Sequence, residues 1–195
     1  MLFRSDIRGK TLYNGRAVDD QSRAIICLAG SPEQESMDYS SRIHQYALAR
    51  DVRLVDAYEI VNAVRSQVPE KRYCLWDAYT LADFFTYTSV IEGWGNQFVE
   101  AIFARLPVIV FEYPVFKSDI APLGFWTFSL GDQFSEHNGL LHVPRDRVER
   151  EASRFSREVV RGDFVKQKLN ENFEIGSGRL SLKALERHLL ELLKY

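Results

Sequence analysis

Two cysteines in 195 residues, with no Cys-x-x-Cys and no cysteine–histidine cluster, leave little material for a disulfide framework. Cys27 and Cys74 lie in apolar settings and read as reduced core thiols of a cytoplasmic protein. The four histidines, His44, His137, His142 and His188, are scattered, so no metal site is expected. An excess of one charge is missing as well. The 25 Lys+Arg stand against 27 Asp+Glu, a net charge of −2, so there is no basic surplus for a phosphate backbone to exploit and no nucleic-acid partner is expected. Long apolar runs are absent. The longest, around residues 106–111, is far below the ~20 residues of a membrane span, and Arg4, Asp6, Arg8 and Lys10 break up any secretory apolar region at the start. These absences argue for a cytoplasmic chain with no integral membrane segment. No repeat, low-complexity run or Pro/Gly-rich linker divides it, so residues 1–195 read as a single domain. The hydrophobic share of 46% is ordinary for a globular protein. The length suffices for a core but is short for an enzyme that closes two large domains over two substrates.

Residues 24–28 (AIICL), closed by Ala29, Gly30, Ser31 and Pro32, suit a strand buried on both faces and a turn. The spacing of apolar residues predicts an amphipathic helix over 33–50, then a strand at 52–55 and a short helix at 75–82. A strand at 84–87, a helix at 97–105 and a Val/Ile-rich strand at 107–111 follow, with residues 126–130 a candidate for one more. Such alternation predicts an α/β fold built on a doubly wound parallel sheet. Beyond Asp132, residues 145–161, 164–172 and 181–193 read as charged amphipathic helices that pack back across the sheet. The last has Ser181 as its N-cap and Leu185, Leu189 and Leu192 as its apolar stripe.

The chemistry concentrates in residues 89–101, SVIEGWGNQFVEA. The segment follows a strand, places Gly93 and Gly95 in a three-residue window and opens a helix. In a parallel sheet this junction lies at the carboxyl ends of the strands, where ligands bind. Glycines there permit positive φ and close approach of a ligand to the main chain. The first amides of the helix, near Gly95, Asn96 and Gln97, suit an anion such as a diphosphate. Glu92 in the loop and Glu100 one turn into the helix each have the geometry to accept two hydroxyls of a sugar or ribose. The competing reading makes Glu92 a solvated loop acid and Glu100 a first-turn acid favoured by the helix dipole.

The two glutamates separated by seven residues, with Glu92-Gly93-Trp94-Gly95 at the first, resemble the signature of retaining glycosyltransferases of the GT-B fold, family GT4. That signature reads Pro-Ser-x-x-Glu-Gly-(Phe or Trp)-Gly-x-x-x-x-Glu-Ala and belongs to the C-terminal, nucleotide-sugar-binding domain. Ala82-Asp83-Phe84-Phe85 resembles the strand before it, Arg105-Leu106-Pro107-Val108-Ile109-Val110 the strand after it, and Gly139-Leu140-Leu141-His142-Val143-Pro144 the stretch before the terminal helices. The resemblance runs from about residue 24 to 195 and is strongest over 76–113. Within the family, residues 111–120 (FEYPVFKSDI) look closest to enzymes that make mannosyl- or glucosyl-glycerate-type solutes. Thr88 replaces the usual Pro, and Asn96 an often apolar residue.

The resemblance implies a Rossmann-like GT-B C-terminal lobe that binds a nucleoside diphosphate sugar such as UDP-glucose or GDP-mannose, without cofactor or metal. By the same token Glu92 contacts donor-sugar hydroxyls and is the catalytic candidate, Glu100 takes the ribose diol, and the main chain of Gly93, Trp94, Gly95 and Asn96 reaches the sugar or diphosphate. The base lies near Val55, Asp56 and Ile60. Arg4 and Lys10 are candidates for the family's diphosphate-binding Arg and Lys, with Arg8 and Arg16 as substitutes and a solvated terminus as the alternative. Asp119 falls where the family has an acid near the donor pocket. Trp76, Trp94 and Trp126 read as core or pocket-wall aromatics, Trp94 being placed to cover a sugar, and residues 145–161 as a solvated helix face. On this reading the N-terminal acceptor domain is absent, and the chain transfers little or nothing without it or a partner chain. The alternatives are a non-catalytic nucleotide-sugar-binding subunit, or half of a split enzyme. A GT-B epimerase is disfavoured because no acid/base histidine and carboxylate set is visible.

Overall fold

The computed structural model describes residues 7–29, 37–58, 60–62, 64–67 and 71–193. Strand and helix alternate as the apolar pattern predicts, apart from two short strands at 61–62 and 73–74 and a later hairpin that it did not predict. Strand β1 (Ile25–Leu28) leads through helix α1 (Met37–Leu48) to β2 (Arg53–Asp56), and β1 and β2 pair in parallel with Ile25 opposite Arg53. A two-residue parallel pair, β3 (Val61–Asn62) and β4 (Tyr73–Cys74), runs into helix α2 (Leu75–Leu81). Next come β5 (Phe85–Tyr87), helix α3 (Asn96–Phe103), β6 (Val108–Val110) and β7 (Phe128–Ser129), which form a parallel sheet in the order β5-β6-β7. A π-helical turn (Phe116–Ile120) and a 3-10 turn (Ala121–Leu123) link β6 to β7. The chain is thus Rossmann-like α/β.

An antiparallel hairpin follows that the sequence reading did not anticipate, β8 (Ser135–His137) and β9 (Leu140–His142). Its signal was the Asn138-Gly139 dipeptide, whose two residues both take positive φ, 52° and 69°, as tight hairpin turns require. Helices α4 (Arg145–Glu158), α5 (Gly162–Arg179) and α6 (Leu182–Leu192) complete the chain.

The core has two halves with β6 between them. Val108 and Val110, both 0% exposed, belong to one half with Phe98, Ala101 and Ile102 of α3. Ile109 packs against the other, where Phe155 and Val159 of the α4 end, Val165 and Leu169 of α5, and Ile7, Leu12 and Tyr13 meet Phe128. Alternate side chains of one strand therefore enter opposite layers. Buried Asn172 of α5 gives its amide to the Trp126 carbonyl (2.8 Å) and accepts from the Trp126 N–H (2.7 Å), tying that helix to the approach to β7.

Four expectations need correcting. Strand β1 forms, yet it is not buried on both faces. Ile25 and Ile26 are 51% and 43% exposed, because among the described residues β1 pairs with β2 alone and α1 packs against β2. For the same reason Cys27 is exposed rather than core, while Cys74 is half-buried; both are free thiols. Helices α4 and α5 do pack back, on β7 and α3 respectively, but α6 rests on α5 alone among these contacts. Its Ser181 cap forms, with Oγ accepting from the Ala184 N–H, while Leu185, Leu189 and Leu192 stay exposed. Of the tryptophans only Trp126 packs into the core, against Phe128 and Phe164; Trp76 and Trp94 are exposed. Among the described residues no helix is long and apolar enough to cross a membrane.

Candidate functional site

The loop of residues 88–95 leaves the carboxyl end of β5 and turns into α3 at Gly95. Gly95 caps the helix with φ 99° and ψ 52°, a left-handed conformation that favours glycine. Its position is doubly constrained, since a Cβ there would lie 2.0 Å from the Tyr113 hydroxyl oxygen. Gly93 differs: it has no positive φ in this sense, and a Cβ would meet nothing within 4 Å. Of the two glycines expected to supply backbone freedom, only Gly95 does; Gly93 supplies open space. The Phe98 and Val99 amides turn back to the Gly95 carbonyl at 3.0 and 3.3 Å. The amides of Asn96 and Gln97, earlier in the turn, have no partner within the helix.

Both glutamates are half-buried and are met by buried tyrosines. The Tyr79 hydroxyl, carried by α2, donates to Glu100 Oε2 at 2.8 Å. Tyr87, the last residue of β5, donates to Gln97 Oε1 at 3.3 Å, and Tyr113, three residues after β6, donates to the Trp94 carbonyl at 2.9 Å. Burial, then the negative charge of Glu92, pushes the Tyr113 phenol up to about 12. The same two causes, in that order, raise Tyr87, while burial followed by the Glu100 hydrogen bond raises Tyr79. All three phenols therefore stay protonated and act as donors at neutral pH. Their rings form one chain of contacts: Tyr79 to Phe85 at 5.5 Å, Phe85 to Tyr87 at 6.1 Å, Tyr87 to Tyr113 at 5.7 Å, and Tyr113 to Phe116 at 5.8 Å. Sequence reasoning missed these tyrosines; the available signal was that Tyr87 ends the strand before the motif and Tyr113 follows the strand after it by three residues.

Further along the same sheet edge, Ser129 donates to Glu112 Oε1 at 2.5 Å and receives the Gly131 N–H at 3.0 Å. Lys117, on the π-helical turn, pairs with Asp132 at 2.5 Å and holds that carboxyl down to about 2. Lys117 is thus a cation beyond the carboxyl end of β6, where sequence reasoning had not looked for one. Asp119 is exposed on the same turn.

Of the candidate cations near the chain start, Arg8 and Arg16 pair away from the glycine loop. Arg4 falls outside the described residues. Lys10 is exposed and makes no hydrogen bond or ion pair with the glycine loop among the described residues. Its neighbours anchor that segment at the amino end of β5: Arg16 pairs with Asp83 at 3.0 Å, Asn14 donates to the same carboxylate at 2.7 Å, and Tyr13 donates to the Asp83 carbonyl. Arg8 pairs with Asp20 at 3.1 Å. In the region expected for the base, Val55 and Asp56 close β2 and Ile60 follows, all exposed, with Asp56 bonded to His44 Nε2 at 2.8 Å. Among the described residues no group of three His, Cys, Asp or Glu is placed to hold a metal ion.

Chemically, the arrangement joins the first main-chain amides of a helix to two half-buried carboxylates, of which Glu100 is anchored by Tyr79. Such a surface suits an anion flanked by hydroxyl-bearing groups.

No family model matches the chain. Two curated relatives carry the name mannosylglucosylglycerate synthase, a glycosyltransferase. The one from Petrotoga mobilis is 43% identical over 140 residues, 72% of this chain and 32% of the relative. The one from Thermotoga maritima is 36% identical over 175 residues, 90% of this chain and 38% of the relative. The chain spans about a third of the length of the relatives it matches. A match of 140 residues within a chain of 195 always includes residues 56–140, so the glycine loop, both glutamates and the three tyrosines lie inside it. A crystal structure of TarM matches at 17% identity with a TM-score of 0.48, covering 91% of this chain and 30% of that one. The chain is therefore homologous to glycosyltransferases through the segment that carries its site.

Proposed function

We propose that the chain is the C-terminal, nucleotide-sugar-binding lobe of a retaining GT-B glycosyltransferase of family GT4. It presents a nucleoside diphosphate sugar, such as GDP-mannose or UDP-glucose, for hexosyl transfer to an acceptor hydroxyl. The names of the relatives point to a glycerate-type acceptor. The observation that carries the proposal is the left-handed Gly95 elbow, locked against Tyr113 and flanked by half-buried Glu92 and Glu100, inside a segment homologous to glycosyltransferases.

In this reading Glu100, steadied by Tyr79, accepts the ribose diol with the lone pairs that the phenol leaves free. Glu92 receives hydroxyls of the transferred sugar, and the main chain of Gly93, Trp94, Gly95 and Asn96 faces the sugar and diphosphate. As the anomeric bond breaks, charge builds on the departing diphosphate oxygen. Fixed amides at the start of α3 stabilise it without reorganising, in the manner of an oxyanion hole. The glutamates position hydroxyls, unlike the paired acid and nucleophile of a glycoside hydrolase. Arg4 and Lys10 remain candidates for the diphosphate cations, and Lys117 joins them. The acceptor is held by a second Rossmann-like lobe, in the same chain or a partner, as the remaining two-thirds of the relatives' length suggests.

Calorimetric titration with UDP-glucose and GDP-mannose tests the reading. One of them binds, Glu100→Ala weakens it about tenfold or more, as loss of a charged hydrogen-bonding partner does, and the 195-residue chain alone transfers little sugar. Absence of binding by both, or unchanged affinity in Glu100→Ala, refutes it.

A further inference from the structure

A glycine at an elbow gives the chain freedom without telling it how to use that freedom. With no Cβ, Gly95 accepts more than one orientation of the peptide before it, so something else must choose the orientation. Tyr113 is placed to do so. It is fully buried, its ring is held edge-on by Tyr87 at 5.7 Å, and its hydroxyl donates to the Trp94 carbonyl at 2.9 Å. The peptide joining Trp94 to Gly95 is a rigid trans plane in which C=O and N–H point in opposite directions. Drawing the carbonyl to a buried phenol therefore turns the Gly95 N–H away from that phenol. That amide then precedes those of Asn96 and Gln97, which have no helical partner, whereas Phe98 and Val99 are already spent on the Gly95 carbonyl. The same hydroxyl occupies the space a Cβ at Gly95 would need, so Tyr113 admits only glycine at position 95.

We propose that Tyr113 is a positioning residue of the site: it holds the 94–95 peptide so that the Gly95 N–H joins the Asn96 and Gln97 amides as a third main-chain donor to the diphosphate or sugar of a nucleoside diphosphate sugar. The inference rests on the nucleotide-sugar reading and adds a residue to it. Burial and the facing Glu92 carboxylate keep the phenol protonated, so the donor is permanent at physiological pH.

The test uses the full 195-residue chain labelled with 15N and titrated with UDP-glucose and GDP-mannose. The Gly95 amide resonance is expected to move in step with binding. Tyr113→Phe, which keeps the ring and deletes the hydroxyl, is expected to weaken nucleotide-sugar binding about tenfold. It should leave UMP or GMP binding near its wild-type value and speed hydrogen exchange at Phe98 and Val99. A variant that loses thermal stability yet keeps its nucleotide-sugar affinity overturns the inference, leaving Tyr113 a packing residue. If Tyr113→Phe does not fold, the wild-type Gly95 resonance decides: binding without its movement overturns the proposal. No binding by the wild-type chain refutes the proposed function and this inference together, whereas binding that Tyr113→Phe leaves unchanged refutes this inference alone.

Discussion

Strands β1 and β6 are near twins in sequence and opposites in structure. IICL and VIV are both continuous apolar runs of the kind found in two-face-buried strands. Val108 and Val110 of β6 are wholly buried, yet Ile25 and Ile26 of β1 are about half exposed. The difference lies in their neighbours. β6 has β5 on one edge and β7 on the other, α3 beneath alternate side chains, and α4, α5 and residues 7–13 above the rest. Among the described residues β1 has a strand on one edge, and the helix that follows it packs against that neighbouring strand. An apolar run specifies a surface that gains from burial; layers contributed by distant residues decide whether the burial occurs.

The sharpest way to break this comparison is to truncate both regions. Phe98→Ala, beneath β6, is expected to cost about 3–5 kcal/mol in urea unfolding, and Ile26→Ala less than about 1 kcal/mol, since a half-exposed side chain has little burial to lose. Equal costs would mean that β1 is covered after all. Gly95→Ala comes next. Forcing an L-residue into the left-handed region costs about 1–2 kcal/mol before the clash with Tyr113 is counted. Combining it with Tyr113→Phe should recover the steric part and not the backbone part, which a double-mutant cycle separates.

Tyr79→Phe is milder, roughly 1 kcal/mol of stability for one part-buried hydrogen bond. Its sharper readout is binding. With Glu100 no longer steadied, the preference for a ribonucleotide sugar over its 2′-deoxy analogue should shrink; an unchanged preference would detach Tyr79 from the site.

The smallest effects are electrostatic and separate the two regions by pH. His44, which joins α1 to the end of β2, has its pKa raised first by the Ser40 carbonyl and then by Asp56. Its contribution is complete below the unfolded value of about 6.5 and is lost as pH rises through the raised folded value. Asp77, at the start of α2, is held down to about 2 by Arg65 and the Cys74 amide, so its contribution is present above the unfolded carboxylate range and lost as pH falls through about 2. Raising pH from 6 to 8 should therefore loosen β1 and β2 and leave β5 to β7 unaffected. Amide exchange, corrected for its intrinsic pH dependence, checks this, and His44→Asn should abolish the difference.

Most elements of the 75–113 block were legible to within a residue or two. The helix expected at 97–105 is observed at 96–103 and the strand at 107–111 narrows to 108–110, because local spacing and a glycine elbow mark them. The positions of Glu92 and Glu100 relative to the helix were legible for the same reason. The hydroxyls that hold the site were not, since Tyr79, Tyr87 and Tyr113 reach it from α2, β5 and the turn after β6 across sequence separations of up to 21 residues. Nor was Lys117 as a cation beyond the sheet, because its place depends on an unexpected π-helical turn.

What the sequence by itself determined is the alternation of strand and helix from residue 75 to 111, the helix start at Gly95 and the motif of two glutamates, all properties of residues near one another along the chain. Only the tertiary structure decided which apolar runs became core, which of two glycines was conformationally required, and where the cations came to rest. Each of those depends on a second segment arriving in space: Tyr113 beside Gly95, α5 beside Trp126, Asp83 beside Arg16. Spacing along a chain encodes the first kind of fact, and only packing supplies the second.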